Sequence, residues 1–163
     1  MDIFSHGLYG GVAVGRRNKR DYITAFLFGI GPDLLSFGIF FIISLFSSGA
    51  VGKPDLASIP QYVFNIYDFT HSLVVFLLFF SIAWFLGYKH FAKLSLAWPL
   101  HILVDMPTHD SSFFPTHFLW PISNFSIDGI SWGQPIIFIP NVIILFSLYL
   151  FWYLRRRKAR SKK

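Results

Sequence analysis

Between Ala97 and Asp110 an apolar run carries four side chains able to ligate a metal: His101, Asp105, His109 and Asp110. If residues 100–106 are helical, His101 and Asp105 stand at i and i+4. Imidazole and carboxylate then lie on one face, one turn apart, and can grip the same ion. The competing reading is a structural His–Asp hydrogen bond. Ionisable groups inside apolar segments cost several kcal/mol unless paired, solvated or ligating, so the others in such places join the candidates. These are His6, Asp33 and His71. Asp33 follows Pro32 and can instead cap a helix that restarts there. Asp68 or Thr70 can cap a helix beginning at Leu73, which would put His71 in its first turn.

The chain has no cysteine, and all eight of its acids are Asp. Any metal is therefore held by nitrogen and oxygen, which suits zinc, with manganese or another hard divalent ion as the alternative. Such an ion, in a mono- or dinuclear site, lowers the pKa of a bound water towards about 7, and a second metal or a free carboxylate such as Asp33 can orient the attack. His109, Asp110 and His117 are then spare groups able to protonate a leaving oxygen or bind a phosphate, although His109-Asp110 also reads as ordinary loop polarity. His90 sits in a basic turn and is set aside.

The elements that must position these residues are membrane helices. The 163 residues are 54% hydrophobic, 20% aromatic and only 13% charged, against roughly 25% charged in a soluble domain. With about 20 apolar residues per span, the expected fold is all-α: a helical bundle of four to five transmembrane or membrane-inserted helices in a single domain, 1–163. Residues 3–15 form a short apolar helix in which Gly7, Gly11 and Gly15 recur every fourth position, leaving a groove for a neighbouring helix. A flexible Gly-rich arm is the alternative. Tyr22 to about Val51 is a long apolar region interrupted by Gly29-Ile30-Gly31-Pro32-Asp33, where a helix is expected to break or kink. A polar loop at 52–67, with Lys53 and Asp55, precedes a strong span from Leu73 to Tyr88. Residues 94–106 are a shorter apolar segment, expected to end at Pro107, and 107–134 read as an interfacial loop rich in aromatics and proline. The cleanest span is Pro135 to Leu154, with 155–163 a basic tail.

Lys and Arg fall as four at 16–20, two at 89–93 and seven at 155–163, leaving Lys53 alone. By the positive-inside rule these three segments and the C-terminus are cytoplasmic, and loops 52–67 and 107–134 face outward. The tail reads as a topology anchor touching anionic lipid headgroups; no nucleic-acid partner is expected. His6, His71, His101 and Asp105 then all lie near the outer leaflet. Asp33, 13 residues beyond Arg20, is carried about 20 Å into a roughly 30 Å core and joins them.

Asp2-x-x-Ser5-His6, Gly31-Pro32-Asp33, His71-Ser72 and His101-x-x-x-Asp105-x-x-Thr108, in this order between hydrophobic spans, resemble the YdjM-like family of inner-membrane-associated metal-dependent hydrolases. The likeness covers the chain to about residue 125; the final span and tail match in type only. It implies a metal site of His6, Asp33, His71, His101 and Asp105, with Thr108 adjoining, in a prokaryotic inner membrane. A looser likeness is to the helical zinc-dependent phospholipase C and P1-nuclease enzymes, from which this chain departs by lacking any Glu and an N-terminal Trp. The expected function is hydrolysis of a lipid-like ester or phosphoester at the outer leaflet, among membrane lipids. The alternatives are a transporter or ion-binding protein built on the Asp33 helix break, and a non-enzymatic regulatory membrane protein.

Overall fold

The structure, a computed structural model, describes residues 1–48 and 56–161. Lys53 and Asp55 of the expected 52–67 loop, the end of the apolar region at Val51, and Lys162 and Lys163 of the tail lie outside the described residues. All regular structure among the described residues is helical: α1 (Ile3–Val14), α2 (Lys19–Asp33), a π-helical turn (Leu34–Gly38), α3 (Ile39–Ser48), α4 (Gln61–Thr70), α5 (Leu73–Phe85), α6 (Lys89–Leu94), α7 (Ala97–Thr108) and α8 (Pro135–Arg160).

Local chemistry explains the helix starts. Asp2 caps α1 by accepting from the Ser5 N–H at 2.9 Å, and Asn18 caps α2 by accepting from the Asp21 N–H. Ser72 caps α5 through the N–H groups of Val74 and Val75. The expectation that Asp68 or Thr70 would do this, with His71 in the first turn, is corrected. Asp68 and Thr70 belong to α4, and His71 ends that helix through its N–H to the Tyr67 carbonyl at 2.8 Å. The polar stretch before Leu73 is thus largely a helix. α7 likewise runs through Pro107 to Thr108, and Pro99 sits in its first turn, where no intrahelical N–H is needed.

Among the described residues, two helices are long and apolar enough to cross a membrane, Lys19–Phe46 and Pro135–Ala159. A third span exists only if α4 and α5, bent by 56° at His71-Ser72, are taken together. This is fewer than the four to five expected, because composition counts apolar residues and not their continuity. The 12 residues of α1 and of α7 rise only about 18 Å.

The expected break at Gly31-Pro32-Asp33 is also absent. Lys19–Phe46 is one span, with Pro32 in the last turn of α2 and the π turn Leu34–Gly38 directly after it. The Pro32 carbonyl is not orphaned, since the hydroxyls of Ser36 and Thr70 donate to it at 2.8 and 3.2 Å.

The glycines of α1 form the groove their spacing predicts. A Cβ on Gly7 would collide with Phe26, and one on Gly11 with Tyr22, so α1 and α2 lie in close contact. α7 packs into the same pair, with Gly10 against Ala97. α8 joins through polar bonds: Asn141, 3% exposed, donates to Ser5 Oγ and accepts from Tyr9, while the Tyr149 hydroxyl donates to the Leu8 carbonyl. A cluster of Ile59, Val63, Tyr67 and Phe114 with Phe37, Phe40, Phe64 and Phe113 ties α4 and the 107–134 loop to the π turn.

The three basic segments meet at one end of this bundle. His90 contacts Asp21 at 2.9 Å, Tyr22 stacks on Trp152, and Arg156 lies over the Trp152 ring.

Candidate metal centre

Three separate elements bring four ionisable groups to one point at the other end of α2. Asp33 comes from the last residue of α2, His71 from the α4–α5 bend, and His101 and Asp105 from consecutive turns of the buried face of α7. His71, His101 and Asp105 are at most 1% exposed, Asp33 9%.

The distances test whether one ion fits. Four ligand atoms placed tetrahedrally about a zinc ion at its usual N and O bond lengths stand about 3.3 Å apart. Here His71 Nε2 is 2.9 Å from His101 Nε2 and 3.5 Å from both Asp33 Oδ1 and Asp105 Oδ2. His101 Nε2 is 3.1 Å from Asp105 Oδ2 and 3.7 Å from Asp33 Oδ1. These edges bracket the required spacing.

Second contacts decide which way the imidazoles point. His101 Nδ1 lies 2.6 Å from the Gly29 carbonyl and His71 Nδ1 lies 3.0 Å from the Tyr67 carbonyl. A carbonyl only accepts, so each Nδ1 carries the hydrogen and donates, leaving Nε2 free to ligate. Two Nε2 atoms at contact distance, faced by two carboxylates, make a site for a cation. Among the described residues no Lys or Arg side chain pairs with either carboxylate, and Asp105 Oδ2 has no hydrogen-bond donor although it is buried.

His6 lies against this group with its ring stacked on that of His101 at 3.7 Å and its Nε2 2.9 Å from Asp105 Oδ1. His109, which ends α7, approaches the same oxygen at 3.5 Å, and the Met1 nitrogen also contacts it. His109 donates from Nδ1 to the Phe114 carbonyl at 3.1 Å. Phe114 adopts φ 54°, a left-handed conformation costly for a non-glycine residue, and the strain turns its carbonyl towards this hydrogen bond. Burial holds the His109 imidazole below its ordinary pKa, with the Asp105 carboxylate opposing.

A cavity of about 730 Å³ opens beside the group. Asp33, Thr108, His109 and Asp110 form its polar edge, and Phe37, Phe41, Phe113 and Trp132 much of its apolar wall. The Thr108 hydroxyl donates to the Val104 carbonyl. Asp110 accepts from the Ser112 N–H at 3.0 Å. The wall is fastened to α7: the Gly129, Ile130 and Trp132 N–H groups donate to the carbonyls of His109, Pro107 and Thr108. A Cβ on Gly129 would stand 2.3 Å from the Pro107 oxygen.

Of the sequence-predicted residues, Asp33, His71, His101 and Asp105 form one ligand group. His6 and His109 touch its Asp105, while Thr108 and Asp110 line the cavity. His117 lies apart and pairs with Asp68 at 2.8 Å.

Three participants escaped the sequence reading. Tyr67 is buried, stacks on His71 at 3.8 Å, and its hydroxyl contacts Thr116, Phe114 O and His109 Nδ1. Gly29 contributes a carbonyl. Trp98 donates from its indole to the Thr70 carbonyl at 2.6 Å, beside the bend that carries His71. Tyr67 stands at i−4 from His71, the one signal in the sequence that pointed to it.

Compared with protein-family models, curated proteins and solved structures, the chain has no match in any of the three.

Proposed function

We propose that the protein is a membrane-bound metal-dependent hydrolase of a lipid-like ester or phosphoester. One observation carries this reading: a buried two-imidazole, two-carboxylate group with the spacing of a four-coordinate ion lies directly beside a cavity with an apolar wall that includes Phe37, Phe41, Phe113 and Trp132. A divalent ion supplies Lewis acidity there and makes a nucleophile of water near neutral pH. Zinc is the first expectation from the ligand chemistry and manganese the second.

The chain's own residues do the rest. His71 and His101 hold the ion through Nε2, oriented by the Tyr67 and Gly29 carbonyls, and Asp33 and Asp105 neutralise it. Phe37, Phe41, Phe113 and Trp132 exclude water and seat an acyl chain. Asp110, a carboxylate on the polar edge, takes the proton released by the attacking water and hands it to the leaving oxygen. The basic end of the bundle faces the cytoplasm and its anionic lipid headgroups, which sets the cavity in the outer leaflet of an inner membrane.

Detergent-purified protein loaded with zinc or manganese and offered chromogenic carboxylic esters and phosphodiesters with short and long alkyl chains tests this. Turnover that favours the long chains and falls at least about 100-fold in Asp105→Asn is expected. No turnover of either class by metal-loaded protein refutes it.

A further inference from the structure

Asp105 divides its two oxygens between two sets of nitrogens. Oδ2 faces His71 and His101. Oδ1 faces His6 Nε2 at 2.9 Å and His109 Nε2 at 3.5 Å. The second set is unexplained by the four-ligand ion, whose tetrahedral positions are already filled.

Two features of the second set call for a ligand. Neither ring nitrogen of His6 makes a well-formed hydrogen bond although the residue is 1% exposed; Nε2 has only its ion-pair contact with Asp105 Oδ1 at 2.9 Å. Buried polar atoms of this kind are rarely left without a partner. His109 is fixed by its Nδ1 donation to Phe114, so its Nε2 lone pair points inward, 3.5 Å from the same carboxylate oxygen and 3.2 Å from the Met1 nitrogen, which an ion there would displace or take as a further ligand. One imidazole short of hydrogen bonds and a second locked with its Nε2 inward, beside the Met1 nitrogen, thus flank one oxygen.

The geometry points to a second divalent metal subsite formed by His6 Nε2, His109 Nε2 and Asp105 Oδ1, with Asp105 bridging it to the four-ligand ion. The subsite rests on the hydrolase reading above only in taking that first ion as given. Carboxylate-bridged ions sit about 3.5–4 Å apart in two-metal hydrolytic sites. The two positions differ in kind. The first has four protein ligands and would take water only as a fifth, from the cavity that Asp33 lines, whereas the second has three and adjoins the same cavity at His109, which leaves a coordination position for substrate or water. The residues that hold it come from α1 (His6) and from the C-terminal end of α7 (His109), so this subsite also fastens α1 to the end of α7.

The test is metal counting on the full chain in detergent. Stripped protein is titrated with Zn²⁺ and measured by elemental analysis, then loaded with Mn²⁺ and examined by electron paramagnetic resonance. Wild-type protein is expected to take up about two equivalents, and the manganese form to show the exchange-coupled spectrum of a bridged pair. His6→Gln and His109→Gln, each verified as monodisperse, are expected to fall to about one equivalent and an uncoupled spectrum, retaining the tighter site. Saturation of the wild type at one equivalent overturns the subsite and leaves the Met1 nitrogen as the partner of Asp105 Oδ1. So does retention of two equivalents and of coupling in both variants. Hydrolysis with a single ion would overturn the subsite and leave the hydrolase reading standing; two coupled ions without hydrolysis of any ester would do the reverse.

Discussion

A Cβ built on Gly29 would stand 2.4 Å from the carbonyl oxygen of His6. Gly29 thus brings α1 and α2 together at the height of the ligand group, and its own carbonyl accepts from His101 Nδ1. One residue with no side chain therefore sets the positions of two of the imidazoles.

Gly29→Ala forces α1 off α2 by the width of a methyl group. Overpacking of this kind costs about 1–3 kcal/mol, and displacement of the carbonyl behind His101 lowers metal affinity about 10- to 100-fold. Thermal unfolding with and without Zn²⁺ checks both. An unchanged midpoint in each condition would show that the contact is slack.

The two carboxylates are not equivalent. Asp105 faces four imidazoles, His6, His71, His101 and His109, whereas Asp33 faces two. Asp105→Asn is therefore expected to weaken zinc binding by more than Asp33→Asn, with about a 10-fold gap between them. Competition with a fluorescent zinc chelator ranks the two variants, and the reverse order would contradict the geometry.

α8 is attached to α1 through Asn141, which bonds both Ser5 and Tyr9. Asn141→Leu strands those hydroxyls and costs about 1–3 kcal/mol. The ligand group lies elsewhere, so its zinc affinity is expected to stay within about twofold of wild type. Chemical unfolding and the same chelator competition separate the two effects; a large loss of affinity would mean that α8 supports the metal site.

Several of these relationships were legible in the sequence. His101 and Asp105 share a face because i and i+4 always do in a helix, and the structure keeps them 3.1 Å apart. The Gly7 and Gly11 spacing foretold the α1–α2 contact for the same local reason. The apolar stretches of α2–α3 and α8 were recognisable from composition, since a helix long enough to cross a bilayer must be apolar along its length.

What tertiary structure decided concerns continuity and convergence. Whether Pro32 breaks a helix or sits within one continuous span depends on what satisfies its surroundings, here Ser36 and the distant Thr70. How many apolar segments are long enough to cross depends on where the chain bends, as at His71-Ser72. The Ala97–Asp110 stretch announced metal chemistry by itself, yet it holds only one wall of the ligand group. Asp33 and His71 complete it through packing across 72 and 34 residues of chain from Asp105, and the carbonyls of Gly29 and Tyr67 that aim the imidazoles have no side-chain identity to read. Periodicity reports only neighbours within a turn or two; backbone groups and long-range contacts acquire their roles when the helices meet.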